Sequence, residues 1–269
     1  MRRGTSRLAV VLTAAAAALT TAAIAGPPAS AADAAQTTAS AAGAAQRGTP
    51  QHPPAAQFTR GRVDNPWFPL KPGTRYVYRG HEDGDRSRDV VTVTYRTKRI
   101  EGVVCRVVRD RLFLDGILRE RTLDWYAQTK RGTVWYFGED TAELNRHGEV
   151  VSREGSFQSG RDGAQAGIFM PAHARVGQTF QQENYPGHAE DKFRILSLTA
   201  HVTTALVSSR HGMLTREWTR LEPGVVDHKS YIRDIGNVGE RTIRGGHDFQ
   251  QLVRMAHLPR SGIRHRQLA

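Results

Sequence analysis

DWYAQTKRGTVWYFGED, residues 124–140, is the stretch on which the fold turns. It gathers Trp125, Tyr126, Trp135, Tyr136 and Phe137, and aromatic and β-branched residues suit the pleated, half-buried surface of a strand. Thr129-Lys130-Arg131-Gly132 supplies a turn between two such runs, so a β-hairpin is expected. A four-residue loop sets Gln128 against Thr133, Ala127 against Val134, Tyr126 against Trp135 and Trp125 against Tyr136. Side chains alternate across a strand, so in that register Tyr126 and Trp135 share one face and Trp125 and Tyr136 the other. A hairpin aromatic on both faces is covered on both, or covered on one and free to hold a ligand on the other.

Upstream, turn and strand alternate. Asn65-Pro66-Trp67-Phe68-Pro69-Leu70 has prolines that forbid regular pairing, which makes it an irregular clamp anchored by Trp67 and Phe68. Lys71-Pro72-Gly73-Thr74 is a turn, Arg75 to Arg79 alternates as a half-buried strand, and Asp83-Gly84, Glu101-Gly102 and Asp115-Gly116 mark successive hairpins. No sustained helical period interrupts them. Downstream, the polar, glycine-rich run 146–167 forms a connection, with a short strand expected at Glu149–Arg153.

The remainder repeats the first part. Gly73, Tyr76, Tyr126, Gly132 and Val134 are matched by Gly177, Phe180, Tyr231, Gly236 and Val238, at a spacing of about 104 residues. The expected fold is therefore all-β: two similar antiparallel meanders, 58–145 and 168–255, forming an open barrel or packed sheets.

The ends differ in kind. Arg2, Arg3 and Arg7, an apolar run from Leu8 to Leu19 and the small-residue site Ala29-Ser30-Ala31 are the parts of a secretory signal peptide, 1–31. Cleavage there leaves no transmembrane segment. Residues 32–57, rich in Ala, Thr, Gln and Pro, form a disordered tether that has too little apolar surface to fold. Removing the three signal arginines takes the formal charge from +12 to +9, and residues 256–269 form a basic tail. A nucleic-acid binder concentrates Lys and Arg with interleaved aromatics on one element. Here Asp124, Glu139 and Asp140 flank the aromatics instead, so no nucleic acid is expected. Cys105, the single cysteine of an exported chain, has no partner for a disulfide and sits in VVCRVV as a buried strand residue.

High-specificity catalytic motifs are missing: no G-x-S-x-G elbow, H-E-x-x-H, phosphate loop or dinucleotide fingerprint. The sequence assigns no catalytic residue, metal or cofactor. Its ligand-binding candidates are Asp124, Tyr126, Trp135 and Phe137, an aromatic platform with a polar end. The partner expected there is a small apolar molecule or a cell-envelope polymer, and the chain is a secreted or envelope-associated binding module for lipid or polysaccharide. The alternative is a secreted hydrolase drawing a carboxylate pair from Asp124, Glu139, Asp140, Glu183 and Glu222.

NPWFPLKPGT (65–74), DWYAQ (124–128), VWYFGED (134–140) and LEPGVV (221–226) together resemble an uncharacterised family of exported β-rich bacterial proteins. The resemblance spans about 65–253 and implies a shared β-rich fold and export, with no activity to carry over. The strand content also resembles, more distantly, open-barrel envelope proteins of the LolA and LppX kind, which bind acyl chains. Those proteins pack a helical layer into the barrel, and this sequence has no clear helix to supply one.

Overall fold

The structure is a computed structural model that describes residues 52–260; the signal segment, most of the tether and the end of the tail lie outside the described residues. The all-β expectation holds. Strands β1 (Asp64–Asn65) and β2 (Phe68–Pro69) form a small hairpin of their own. The first meander is β3 (Thr74–Glu82), β4 (Asp85–Ile100), β5 (Val103–Leu114), β6 (Ile117–Gln128) and β7 (Val134–Leu144). Short strands β8 (Val150–Ser152) and β9 (Phe157–Gln158) both pair with β7, and β10 (Gln165–Met170), β11 (Thr179–Gln181) and β12 (Glu183–Asn184) follow. The second meander is β13 (Lys192–Thr203), β14 (Ser208–Trp218), β15 (Val226–Ile232), β16 (Gly236–Arg244) and β17 (Phe249–His257).

One antiparallel sheet runs β11-β13-β14-β15-β16-β17-β3-β4-β5-β6-β7-β10-β12. Its two ends are parts of one short segment. Residues 179–181 pair with β13 on one side, and Glu183 and Asn184 pair with β10 on the other, so the segment all but closes a barrel. Closure removes the exposed edges that an open sheet of this size would present. Gly167 makes the seam possible: a Cβ there would stand 2.0 Å from the Gln182 carbonyl oxygen. The hairpin turns follow their sequence. Asp83-Gly84 has φ of 49° and 89° and Asp115-Gly116 has 47° and 86°, the two left-handed residues of a type I′ turn.

The barrel interior is filled. One end is plugged by the clamp, with Trp67, Phe68 and Leu70 buried among Val93, Val134, Tyr126 and Phe169. Gln128 holds the plug in place: its Oε1 accepts the backbone N–H of Asp64 and of Asn65. Asn65 in turn donates to the carbonyls of Gly132 and Pro171. A second core lies outside the barrel, where Phe58 covers Val103, Cys105, Trp125 and Phe137. His52 and the 3-10 turn Ala55–Gln57, residues expected in the tether, belong to this cover.

The central hairpin forms, in a different register from the one expected. Tyr126 pairs with Tyr136, Ala127 with Trp135 and Gln128 with Val134. The Gly132 N–H bonds the Thr129 carbonyl and the Thr129 N–H bonds the Thr133 carbonyl, so the loop takes one residue more, with Gly132 at φ 99°. A one-residue slip flips every side chain of one strand. Tyr136 therefore joins Tyr126 in the barrel, while Trp135 faces outward.

The two meanders share local detail. The Gly73 N–H bonds the Val93 carbonyl at 2.8 Å, and the Gly177 N–H bonds the Ile195 carbonyl at 2.8 Å. Gly132, two residues before β7, and Gly236, the first residue of β16, have φ of 99° and 102°.

Candidate functional site

Inside the barrel, polarity changes along the strands. Near the plug the walls are Val93, Val134, Ile195, Met213, Val238 and Leu252. Next comes a layer of tyrosines: Tyr126 and Tyr136 stack with centroids 4.7 Å apart, and Tyr78 and Tyr231 lie in the same core. Beyond them the walls turn acidic. Asp89, Asp110, Glu120, Asp124 and Glu139 are all buried, and they alternate along their strands with residues that face outward.

The Tyr136 hydroxyl lies 2.8 Å from Asp124 Oδ1 and 2.7 Å from Glu139 Oε2. It has one proton to give, so one of these contacts needs a protonated carboxyl. The electrostatics agree. Burial first, and neighbouring acids second, push Asp124, Glu139, Asp89 and Glu120 well above the ordinary carboxylate range. Burial raises Asp110 as well. The second meander contributes acids and one base. Burial pulls the Lys229 ammonium down, but Glu217 at 2.8 Å and Glu240 at 3.7 Å outweigh it and keep Lys229 charged. Burial lifts Glu240 and the half-buried Asp191 to about 8.

The four residues expected to hold a ligand are divided between two places. Asp124 and Tyr126 face the barrel interior and are fully buried. Trp135 and Phe137 face the other way, into the outer core, where the Phe137 ring lies 4.9 Å from His52 and 5.7 Å from Phe58. Of the acids considered for hydrolysis, Asp124 and Glu139 are cross-strand neighbours. Asp140 is exposed and pairs with Arg153 at 2.9 Å, and Glu222 lies in the turn before β15. Among the described residues no group of three or more His, Cys, Asp or Glu side chains could hold a metal ion. Cys105 is fully buried, and burial pushes its thiol far up, which leaves it apolar in character.

The feature that sequence reasoning missed lies on the outside of β5, β6 and β7. A groove of about 630 Å³ opens there, lined by Arg109, Arg111, Arg121 and Arg153 and by Leu118, Leu123, Ala142 and Leu144, with Asp140 at one side. Its floor is Arg109, only 4% exposed, whose Nε and Nη1 have no hydrogen-bond partner. Burial, with Arg111 and Arg75 nearby, lowers this guanidinium to about 10, while its ordinary value is far higher. A buried donor without an acceptor is costly, by roughly 1–3 kcal/mol and more when charged. The sequence signal was available: Arg109 and Arg111, and likewise Arg119 and Arg121, are spaced by the strand period on adjacent strands.

Fold and groove together define a class: a nearly closed antiparallel β-barrel with an acidic interior and an arginine-lined outer groove. No family model matches the chain, and no curated protein does. Two solved structures share part of its shape. One, described as exported and having a YmcC-like fold, comes from Bacteroides fragilis NCTC 9343; it is 11% identical over 71% of this chain and 98% of its own, at a TM-score of 0.41. The other, described as a lipoprotein, comes from Parabacteroides distasonis ATCC 8503; it is 10% identical over 72% of this chain and 100% of its own, at a TM-score of 0.40. Likenesses this distant carry no argument about what the chain does.

Proposed function

We propose that the protein is an extracytoplasmic, envelope-associated binding module, non-catalytic, whose ligand seat is the outer groove over β5, β6 and β7. The ligand is an amphiphile with an acidic headgroup. The observation that carries this is Arg109: a buried guanidinium with two unmet donors at the floor of a groove walled by leucines. Ligand sites are commonly concave, largely apolar and of about 300–1,000 Å³, with a few convergent polar groups. Here a phosphate or carboxylate accepts from Arg109, flanked by Arg111 and Arg121, and an acyl chain lies on Leu118, Leu123 and Leu144. The signal segment at 1–31 supports the location. Asp124 and Tyr126 act behind the seat as part of the barrel that holds β5 and β6 rigid. The hydrolase alternative would need Asp124 and Glu139 to reach a substrate, and both are enclosed, at 0% and 2% exposure.

The test is titration with monomeric lysophosphatidylglycerol, followed by calorimetry. Saturable binding is expected, weakened roughly tenfold or more by Arg109→Gln, since hydrogen bonds to charged groups are worth about 1.5–3 kcal/mol. Equal binding of lysophosphatidylcholine, or preference for a neutral oligosaccharide, would refute the seat.

A further inference from the structure

A second groove, of about 490 Å³, lies on the outer face of β17, β3 and β4. It is lined by Arg75, Arg79, Arg88 and Arg254, with Val77, Val90 and Leu258 between them. Register places Arg79 directly opposite Arg88, and Arg111 directly opposite Arg121 two strands further on. Like charges directly opposed across a ladder are destabilising. Among the described residues none of these six arginines, nor Arg109, is ion-paired with a carboxylate. The Arg75 Nε is buried and has no hydrogen-bond partner.

The acids that could have neutralised this face point away from it. Asp89, Asp110, Glu120 and Asp124 sit on the same strands and all turn into the barrel. The sheet thus separates charge across its thickness, with carboxyls inside and guanidiniums outside. Arg254 on β17 shares the groove with Arg75 and Arg88, these two are close enough to act on Arg111 on β5, and Arg111 faces Arg121 on β6, so the field runs from β17 to β6. A field this wide, with apolar residues between the charges, fits a flat anionic partner with an apolar layer beneath it.

We infer that the outer face of β17, β3, β4, β5 and β6 docks on an anionic lipid bilayer, with Arg79, Arg88 and Arg254 meeting the headgroups beside the seat proposed above. Arginines near an anionic membrane surface each contribute about a fivefold gain in partition, and the attraction fades with salt. The inference goes beyond the seat and does not need Arg109.

The experiment is flotation of the purified protein with phosphatidylcholine vesicles, with and without phosphatidylglycerol, at low and physiological salt. The expected result is partition onto the phosphatidylglycerol vesicles only, falling with salt. In the triple variant Arg79→Gln, Arg88→Gln, Arg254→Gln it should drop about 100-fold, while binding of monomeric lysophosphatidylglycerol stays as in the wild type. Partition equal on both vesicle types, or unchanged in the triple variant, overturns the inference. So does loss of partition in Arg109→Gln alone, which would assign all lipid contact to the seat. Displacement by a single-stranded oligonucleotide at equal phosphate concentration would also overturn it, in favour of an unselective polyanion surface.

Discussion

Two regions of the interior, one in each meander, solve the same problem differently. Tyr126 on β6 and Tyr231 on β15 are both buried in the barrel, and two residues before them stand Asp124 and Lys229. Asp124 pairs across β5 with Val108, and Lys229 pairs across β14 with Thr215. Around Lys229 the acids Glu217 and Glu240 meet a cation at 2.8 and 3.7 Å. Around Asp124 the neighbours are Glu139, a tyrosine hydroxyl and, further along, Asp110 and Asp89. Among the described residues no cation pairs with that cluster, so protonation neutralises it. Burying ionised groups costs far more than burying neutral ones, and either a paired base or a retained proton meets the requirement. A barrel can thus carry many inward acids with, among the described residues, one inward lysine.

The largest expected effect breaks the second region. Lys229→Met leaves Glu217 and Glu240 buried without their cation and should cost about 3–5 kcal/mol in urea unfolding. Asp124→Asn, at the matching position of the first meander, replaces a carboxyl whose neutral form burial favours by a neutral group of the same shape and should stay within about 1 kcal/mol. Equal losses at the two sites would erase the distinction.

A pH series sharpens it. Asp191 and Glu240 are raised to about 8 and Asp89, Glu120, Asp124 and Glu139 are raised as well, so the folded chain holds more protons between about pH 4 and pH 8. Stability is then fullest on the acid side. It should decline as pH rises through that window, on the order of 1.4 kcal/mol per unit for each group that stays protonated. Unfolding midpoints that rise from pH 5 to pH 8 would contradict this. A smaller effect is expected from Tyr136→Phe, which removes the hydroxyl shared by Asp124 and Glu139. The loss should be about 1–3 kcal/mol by denaturant titration, with the stacked ring retained.

How much of this was legible in the sequence follows from strand alternation. Turns at Asp83-Gly84, Glu101-Gly102 and Asp115-Gly116 carry their conformation in their residues, and the meander followed from them. The register of the 124–140 hairpin did not, because it depends on whether Thr129 closes the loop against Thr133, a hydrogen bond no residue type dictates. That single slip separated Trp135 and Phe137 from Tyr126. The arginine face was hidden by adjacency: Arg109 and Asp110 are neighbours in the chain and stand on opposite sides of the sheet. Averaged over sequence they cancel, and the acids beside the aromatic hairpin argued only against a nucleic acid. Separated by fold, they leave one face strongly cationic. The spacing of about 104 residues proposes that the meanders descend from one unit.

The most direct measurement of the central contrast is infrared spectroscopy of the carbonyl stretch of protonated carboxyls at neutral pH. The account predicts a clear band in the folded protein, reduced by Asp124→Asn and unchanged by Glu217→Gln, whose carboxyl lies 2.8 Å from the Lys229 ammonium. A folded protein with no such band at neutral pH, or one whose band is lost with Glu217 and not with Asp124, would contradict it.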